Sequence, residues 1–330
     1  MDRGRTLPHR LCSPKTQGRS ARDGEFVINE TQRKPAWLKI RPPSGARYNR
    51  IKGLREGLSL ATVCEEARCP NLSECWGAGT ATFMILGDTC TRACRFCNVN
   101  TGNPRGRIDV DEPARLAEAV STMELSYVVL TMVDRDDLDD GGAGHAALCV
   151  EALRQADPKL KVEMLAGDFR GDPSAIARVA RSGCEVFAHN LECVRRLTPA
   201  VRDRRCGYDQ SLHVLKTAGN LARHVVTKSS LMLGLGETDE EIREAMEDLR
   251  TAGVQILTLG QYLRPAPRFL PVDRYVTPDE FTHWKDVAHG LGFDFCASGP
   301  LVRSSYRAGE VFLEGFLKAR ARAPGEGSVR

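Results

Sequence analysis

Six of the twelve cysteines fall within a 34-residue window, in two triplets of unequal spacing. Cys64, Cys69 and Cys75 form C-x4-C-x5-C, and Cys90, Cys94 and Cys97 form C-x3-C-x2-C. Three thiolates can hold three irons of a cubane [4Fe–4S] cluster and leave the fourth open to another ligand. Two triplets imply two clusters, each with an open corner, which suits catalysis better than a purely structural role. Whatever fold the chain adopts must therefore bring two sets of three sulfurs to two points.

Two other uses of clustered cysteine are weaker. Disulfides belong to small secreted domains, and a 330-residue chain can bury a core without such staples. The first residues lack the apolar stretch of a signal peptide, and no run of about 20 apolar residues suggests a membrane span. A zinc module is the alternative from a different functional class. Structural zinc asks for four ligands in paired elements, and His9 and His145 are both far from either triplet.

Charge limits the partners. Residues 1–34 carry eight Lys/Arg and four Asp/Glu, so the whole excess of +4 lies there and the remainder is balanced. A balanced body argues against a nucleic-acid surface. The segment 1–34 is rich in Arg, Ser and Gly and reads as a disordered basic tail, as does the end of the chain from Ala319. Residues 35–80 form an extension that carries the first triplet.

Apolar strand-like runs alternate with helical patterns from residue 83 onward. The strand candidates are Phe83–Gly87, Tyr127–Val133, Lys161–Leu165, Glu185–Asn190, Thr227–Gly234 and Ile256–Leu263, with a final strand at Phe293–Ser298. Their continuous apolar character suits parallel strands covered by helices. Thr238 and Glu241 make a capping box ahead of Ile242, Ala245, Met246 and Leu249, with Gly253 as the stop. Thr277 caps a second helix, with Pro278 at its first position and Glu280 two residues on, and Asp172-Pro173 opens a third. The expected fold class is α/β, a partial (β/α)6 TIM-type barrel over residues 81–300. In such barrels the loops after the strands build the site, and Cys90, Cys94 and Cys97 follow the first strand.

The second triplet, in Cys90-Thr-Arg-Ala-Cys94-Arg-Phe-Cys97, resembles the signature of the radical S-adenosylmethionine (SAM) superfamily. The stretches Glu65–Asn71, Glu74–Trp76, Gly79–Met84 and Arg303-Ser304-Ser305-Tyr306 resemble the lipoyl synthase family within it. The likeness runs from about Lys34 to Gly309, most of the chain. It implies insertion of two sulfur atoms at C6 and C8 of a protein-bound octanoyl-lysine, with two [4Fe–4S] clusters and SAM as cofactors. Cys90, Cys94 and Cys97 would hold the SAM-cleaving cluster. Cys64, Cys69, Cys75 and a serine of the 301–330 segment, Ser305 rather than Ser304, would hold an auxiliary cluster consumed as the sulfur source.

The same resemblance puts SAM near Phe96, near Asp134-Arg135-Asp136-Asp137, and near Asn190 and Glu192 after the fourth strand. Lys228 and Ser230 lie on the fifth strand, where a buried lysine demands a cofactor or a carboxylate partner. The implied partners are the lipoyl domain of 2-oxoacid dehydrogenases and the glycine-cleavage H protein. A flavodoxin or ferredoxin would supply electrons, cluster-repair proteins would restore iron and sulfide, and no nucleic acid or membrane is involved. The expected location is cytoplasmic, in bacterial cytosol. A methylthiotransferase is the competing enzyme, but it predicts an RNA-binding appendage or a basic body.

Arg195, Arg196, Arg202, Arg204 and Arg205 form a basic run that either helps to dock an acidic carrier or is a solvated loop. Cys12, Cys149, Cys184, Cys193, Cys206 and Cys296 read as inert, five of them as small core hydrophobes. Three positions depart from the family pattern: Phe269 for an expected histidine, Met132 for a small polar residue and Cys296 for an aliphatic one.

Overall fold

The computed structural model describes residues 33–39, 61–62, 71, 75 and 80–305. Expectations resting on the basic tail before Arg33, on Cys12, Cys64 and Cys69, and on Tyr306 and the residues after it lie outside this set.

Among the described residues the sheet has eight strands: β1 (Ala61–Thr62), β2 (Thr80–Ile85), β5 (Tyr127–Met132), β6 (Lys161–Leu165), β7 (Val186–Ala188), β8 (Val226–Leu233), β9 (Ile256–Gln261) and β10 (Phe295–Gly299). Two short strands, β3 (Thr89–Cys90) and β4 (Asn100–Thr101), pair apart from it in the loop after β2. The strands of the sheet neighbour one another in that order; β1 is antiparallel to β2, and every other pair is parallel. No pairing joins β10 back to β1 or β2 among the described residues, so the barrel is open. Among the described residues six helices of eight residues or more alternate with the strands: α1 (Glu112–Thr122), α2 (Ala143–Ala156), α3 (Pro173–Ala180), α4 (Tyr208–Leu221), α5 (Asp239–Thr251) and α6 (Pro278–Gly290). The partial (β/α)6 architecture is therefore present, with β10 as a seventh parallel strand.

Local chemistry explains the helix ends. Thr238 and Thr277 each accept a hydrogen bond from a backbone N–H three residues on, while Glu241 and Glu280 reach back to the capping residue. Two orphan donors are satisfied at each start. Asp172 accepts from Ser174 N and so opens α3. Gly253 follows α5 at φ +86°, a left-handed stop.

Strand faces divide by parity. Val128, Leu130, Val162, Met164 and Phe187 pack outward against α1, α2 and α3, whereas Tyr127, Val129, Val186, Val226 and Ile256 pack together as the barrel's inner floor. Both faces are buried, which is why the strands lack the alternation of a half-exposed sheet. The first strand corrects its expected boundary of Phe83–Gly87. Leu86 and Gly87 lie outside it at φ +67° and +87°, so the chain turns one residue after Ile85 despite the apolar run.

Candidate functional site

The inward-facing residues at the C-terminal ends of the strands open into a cavity of about 640 Å³. Met84, Thr131, Leu165, Ser230, Met232 and Gly260 line it, and Cys90, Cys94 and Cys97 stand at its mouth. The loop carrying the three cysteines is pinned by its backbone: Thr91 N donates to Asp134 O (2.9 Å), Ala93 N to Asp203 Oδ2 (2.9 Å) and Arg95 N to Val201 O (2.9 Å).

Each of the three sulfurs is met by a backbone N–H. Arg92 N donates to Cys90 Sγ (3.4 Å) and Asp203 N to Cys94 Sγ (3.3 Å). Asp134 N–H also faces Cys90, and Val99 N–H faces Cys97. Donors aimed at sulfur stabilise thiolates and cluster-bound sulfurs. Burial pushes the other way, raising the Cys90 thiol to about 12 and Cys97 upward, while Cys94 is raised chiefly by its contact with Cys206 and then by burial. A metal centre is what can displace those protons, so this donor set fits an iron–sulfur cluster.

Arg92, inside the C-x3-C element, was missed from sequence and organises the site. It is buried, and its guanidinium forks to Asp136 (Nε to Oδ2 3.0 Å, Nη2 to Oδ1 2.9 Å) and to Asp168 (Nη1 to Oδ2 2.5 Å, Nη2 to Oδ1 2.7 Å). Asp134 Oδ1 lies 3.6 Å from the same group. Two bidentate carboxylates are the pairing that makes a buried guanidinium tolerable. The signal was present: three aspartates at 134–137 outnumber their one neighbouring arginine, and Asp168 follows the end of β6. His189, also missed, lines the cavity with both ring nitrogens engaged, Nδ1 with Ala166 O (2.9 Å) and Nε2 with Ser211 Oγ (3.0 Å).

Several of the predicted contact residues are gathered here and others are not. Phe96, Asp134, Asn190, Glu192 and Ser230 line the cavity. Asn190 Nδ2 donates to Glu192 Oε1 (3.0 Å), and Glu192 holds a left-handed φ of +71°. Burial raises both acids, Asp134 to about 6, so a cationic ligand group would draw them back toward ionisation. Asp136 is spent on Arg92, Thr91 and Arg205.

Arg135 and Asp137 pair with each other (2.8 Å) among backbone groups, and neither lines the cavity. Lys228 Nζ pairs with both Glu163 oxygens (2.8 and 2.9 Å) in the inner floor beneath Ser230, so of its two expected partners the carboxylate is the one present. Cys206 is no inert core thiol: its Sγ lies 3.9 Å from Cys94 Sγ, accepts from Arg92 Nη1 (3.3 Å) and lines the cavity. Cys149, Cys184, Cys193 and Cys296 are buried in the core, as expected.

The basic run is mostly consumed internally. Arg195 pairs with Asp209 and Asp248, Arg196 with Glu241, and Arg205 with Asp203 and Asp136, while Arg202 is buried against Ser211 Oγ. Among the described residues Arg204 alone of the five is exposed with no ion pair.

The C-terminal segment crosses the same cavity. Val302, Arg303 and Ser304 line it, and Ser305 sits beside them, half-buried. The crossing requires Gly260, because a Cβ there would stand 2.1 Å from Val302 O. Asn71 Nδ2 donates to Leu301 O (2.6 Å) and Cys75 N to Asn71 O (2.9 Å). The two bonds tie Cys75 to the neighbourhood of Ser304 and Ser305.

Burial holds His189 neutral, down to about 4 from its usual 6.5. The unfolded chain binds this proton between those values while the folded chain does not, so stability should fall as pH drops from 6.5 toward 4. The expected loss is roughly 3 kcal/mol at the acid end. Anaerobic denaturant titrations from pH 7 to pH 4 test this, and His189→Asn should flatten that part of the profile. An unchanged slope in the variant would remove His189 as the source.

Comparison with known proteins places these features. Residues 84–249 match the model of the radical SAM superfamily, and residues 13–69 match the N-terminal domain of lipoyl synthase of that family. The chain is 57% identical over 294 residues to a lipoyl synthase of Anaeromyxobacter sp. (strain Fw109-5), covering 89% of this chain and 100% of that protein. It is 58% identical over 281 residues to that of Thermus thermophilus, covering 85% and 87%. The mitochondrial lipoyl synthase of Branchiostoma floridae is 55% identical over 293 residues, covering 87% and 78%. Among solved structures, methylornithine synthase shares the fold at a TM-score of 0.51 and 13% identity, covering 84% of this chain and 94% of that one. Streptococcus suis SuiB bound to S-adenosylmethionine does so at 0.52 and 12%, covering 76% and 60%.

Proposed function

The chain belongs to the lipoyl synthase family of radical SAM enzymes, and on that premise we propose which of its residues carry the family's chemistry. The enzyme inserts two sulfur atoms, at C6 and C8, into an octanoyl chain held on a lysine of a carrier protein. Its cofactors are SAM and iron–sulfur clusters, which when bound supply a hydrogen-abstracting radical and the sulfur to be transferred. The zinc-module and methylthiotransferase alternatives lose their footing at this level of identity.

The observation that carries the assignment is the trio Cys90, Cys94 and Cys97 at one cavity mouth, each met by a backbone N–H. These three would hold the cluster that binds SAM. Asp134 and Glu192 would receive the ammonium of its methionine part, Asn190 and Ser230 would supply neutral polar contacts, and Phe96 would contact the adenine. Met84, Leu165, Met232 and Leu263 give the same cavity an apolar lining that suits an alkyl arm and keeps water from it. Cys75, with Cys64 and Cys69, would hold the auxiliary cluster, and Ser305 would complete it. The bridge from Asn71 to Leu301 supports that pairing of segments.

The carrier is the lipoyl domain of a 2-oxoacid dehydrogenase or the glycine-cleavage H protein, with a small flavodoxin or ferredoxin as electron donor. No helix among the described residues is long and apolar enough to cross a membrane. Bacterial cytosol is the proposed compartment, supported by the bacterial relatives.

The test is anaerobic. Protein reconstituted with iron and sulfide is given SAM, a reductant and an octanoyl-lysine peptide, and products are followed by mass spectrometry. Two sulfurs gained by the peptide, with 5′-deoxyadenosine released, is the expected result. Deoxyadenosine with an unchanged peptide would overturn the substrate assignment.

A further inference from the structure

Leu86 is the hinge between barrel and cysteine loop. It follows the last residue of β2, is separated from Thr89-Cys90 by Gly87 and Asp88, and adopts a left-handed φ of +67°. Only glycine enters that region freely, and a leucine persists there only where its surroundings over-determine it.

The surroundings do so from both sides of the residue. Leu86 N donates to Glu112 Oε2 (2.9 Å), and Leu86 O accepts from Arg135 Nη1 (3.2 Å). Glu112, on α1, is held in turn by His145 of α2, whose Nε2 lies 2.7 Å from the same carboxylate oxygen. Arg135 is anchored by Asp137 (2.8 Å to each oxygen) and by Arg107 O (2.8 Å). The Leu86 side chain lies over Gly142, where a Cβ would approach its Cδ1 to 2.6 Å and push it aside, and Gly142 itself holds a left-handed φ of +89°.

Leu86, Glu112, Arg135 and His145 are all buried, and none of them lines the cavity. Charged and imidazole groups buried away from the reacting centre call for a separate explanation. Cys149 completes a trio with Glu112 and His145 whose ligand atoms lie within 4.8 Å of one another. A metal reading of the trio is disfavoured, because Glu112 Oε2 already serves both Leu86 N and His145.

We propose that Glu112, His145 and Arg135 are positioning residues that clamp Leu86 in its left-handed turn and so set the direction in which the Cys90–Cys97 loop leaves the barrel. The inference rests on the function proposed above for its consequence in catalysis, but not for its structural part. With the turn held, Thr91, Ala93 and Arg95 meet Asp134, Asp203 and Val201. Without it, Leu86 relaxes toward ordinary φ and those three bonds open together.

Glu112→Met removes the acceptor, Glu112→Gln keeps one, and Leu86→Gly removes the conformational cost. Hydrogen–deuterium exchange on the iron-free full chain should show the amides of Thr91, Ala93 and Arg95 exchanging at least about tenfold faster in Glu112→Met, with β6 and α3 unchanged. Glu112→Gln should restore protection, and Glu112→Met placed in the Leu86→Gly background should add little. Unchanged loop exchange in Glu112→Met, or acceleration spread equally through the barrel, would overturn the proposal. If Glu112→Met does not fold, His145→Leu is read by the same pattern. In reconstituted enzyme the clamp variants should lose deoxyadenosine formation about tenfold. Absence of that activity in the unsubstituted enzyme would count against the function and leave the exchange result standing.

Discussion

Cys94→Ala is expected to abolish release of 5′-deoxyadenosine, whereas Cys75→Ala should leave it and abolish only sulfur transfer. The two residues differ in where the fold puts them. Cys94 lines the same cavity as Asp134 and Glu192, with Asp203 N on its sulfur. Cys75 is bonded through Asn71 to the segment that bears Ser304 and Ser305. Loss of the first thiol should lower SAM cleavage more than about 1,000-fold, the equivalent of about 4 kcal/mol of transition-state stabilisation. Loss of the second should change it by less than about tenfold. Iron should fall from about eight to about four atoms per chain in both variants, as the loss of one cubane from two requires. Quantifying deoxyadenosine, peptide-bound sulfur and iron together separates the cases. Vigorous deoxyadenosine release by Cys94→Ala would refute the assignment of that triplet.

Lys228→Met is expected to be among the most destabilising single substitutions in the barrel. Lys228 and Glu163 are 3% and 0% exposed, and Tyr127 Oη donates to the same carboxylate (2.9 Å). Removing the ammonium leaves Glu163 charged in the barrel floor, with only a phenol to compensate. Breaking a buried pair in this way costs about 3–5 kcal/mol. Replacing both partners, as Lys228→Met with Glu163→Leu, removes the stranded charge and should recover much of the loss. Anaerobic guanidinium unfolding reads both, since a shift in midpoint at constant slope is a change in stability. A single variant within about 1 kcal/mol of the parent chain would mean the pair is not desolvated as the structure has it.

Much of this was legible beforehand, and the reasons are local. Capping boxes at Thr238 and Thr277 involve residues three apart, and the helix–strand alternation is a pattern within each element. Cys90, Cys94 and Cys97 span eight residues, so a short loop brings them together almost whatever surrounds it. The misreadings share a different cause. Lys228 was ambiguous because its partner lies 65 residues away, and Cys206 was read as inert because Cys94 is 112 residues away. Arg92 went unnoticed because its carboxylates are 44 and 76 residues distant.

Sequence by itself therefore determined the class of chemistry, through thiol spacing, and the class of fold, through the period of its apolar residues. Both are properties of short segments, where backbone geometry fixes which side chains face one way. Only the tertiary structure decided which polar groups meet. Parallel register sets Glu163 opposite Val186 and Val186 opposite Val226, two residues before Lys228 on β8, so the inward-facing carboxylate and ammonium meet across β7. No local propensity encodes that meeting. It follows from closing long loops against the entropy of the chain, at a cost that the buried core repays.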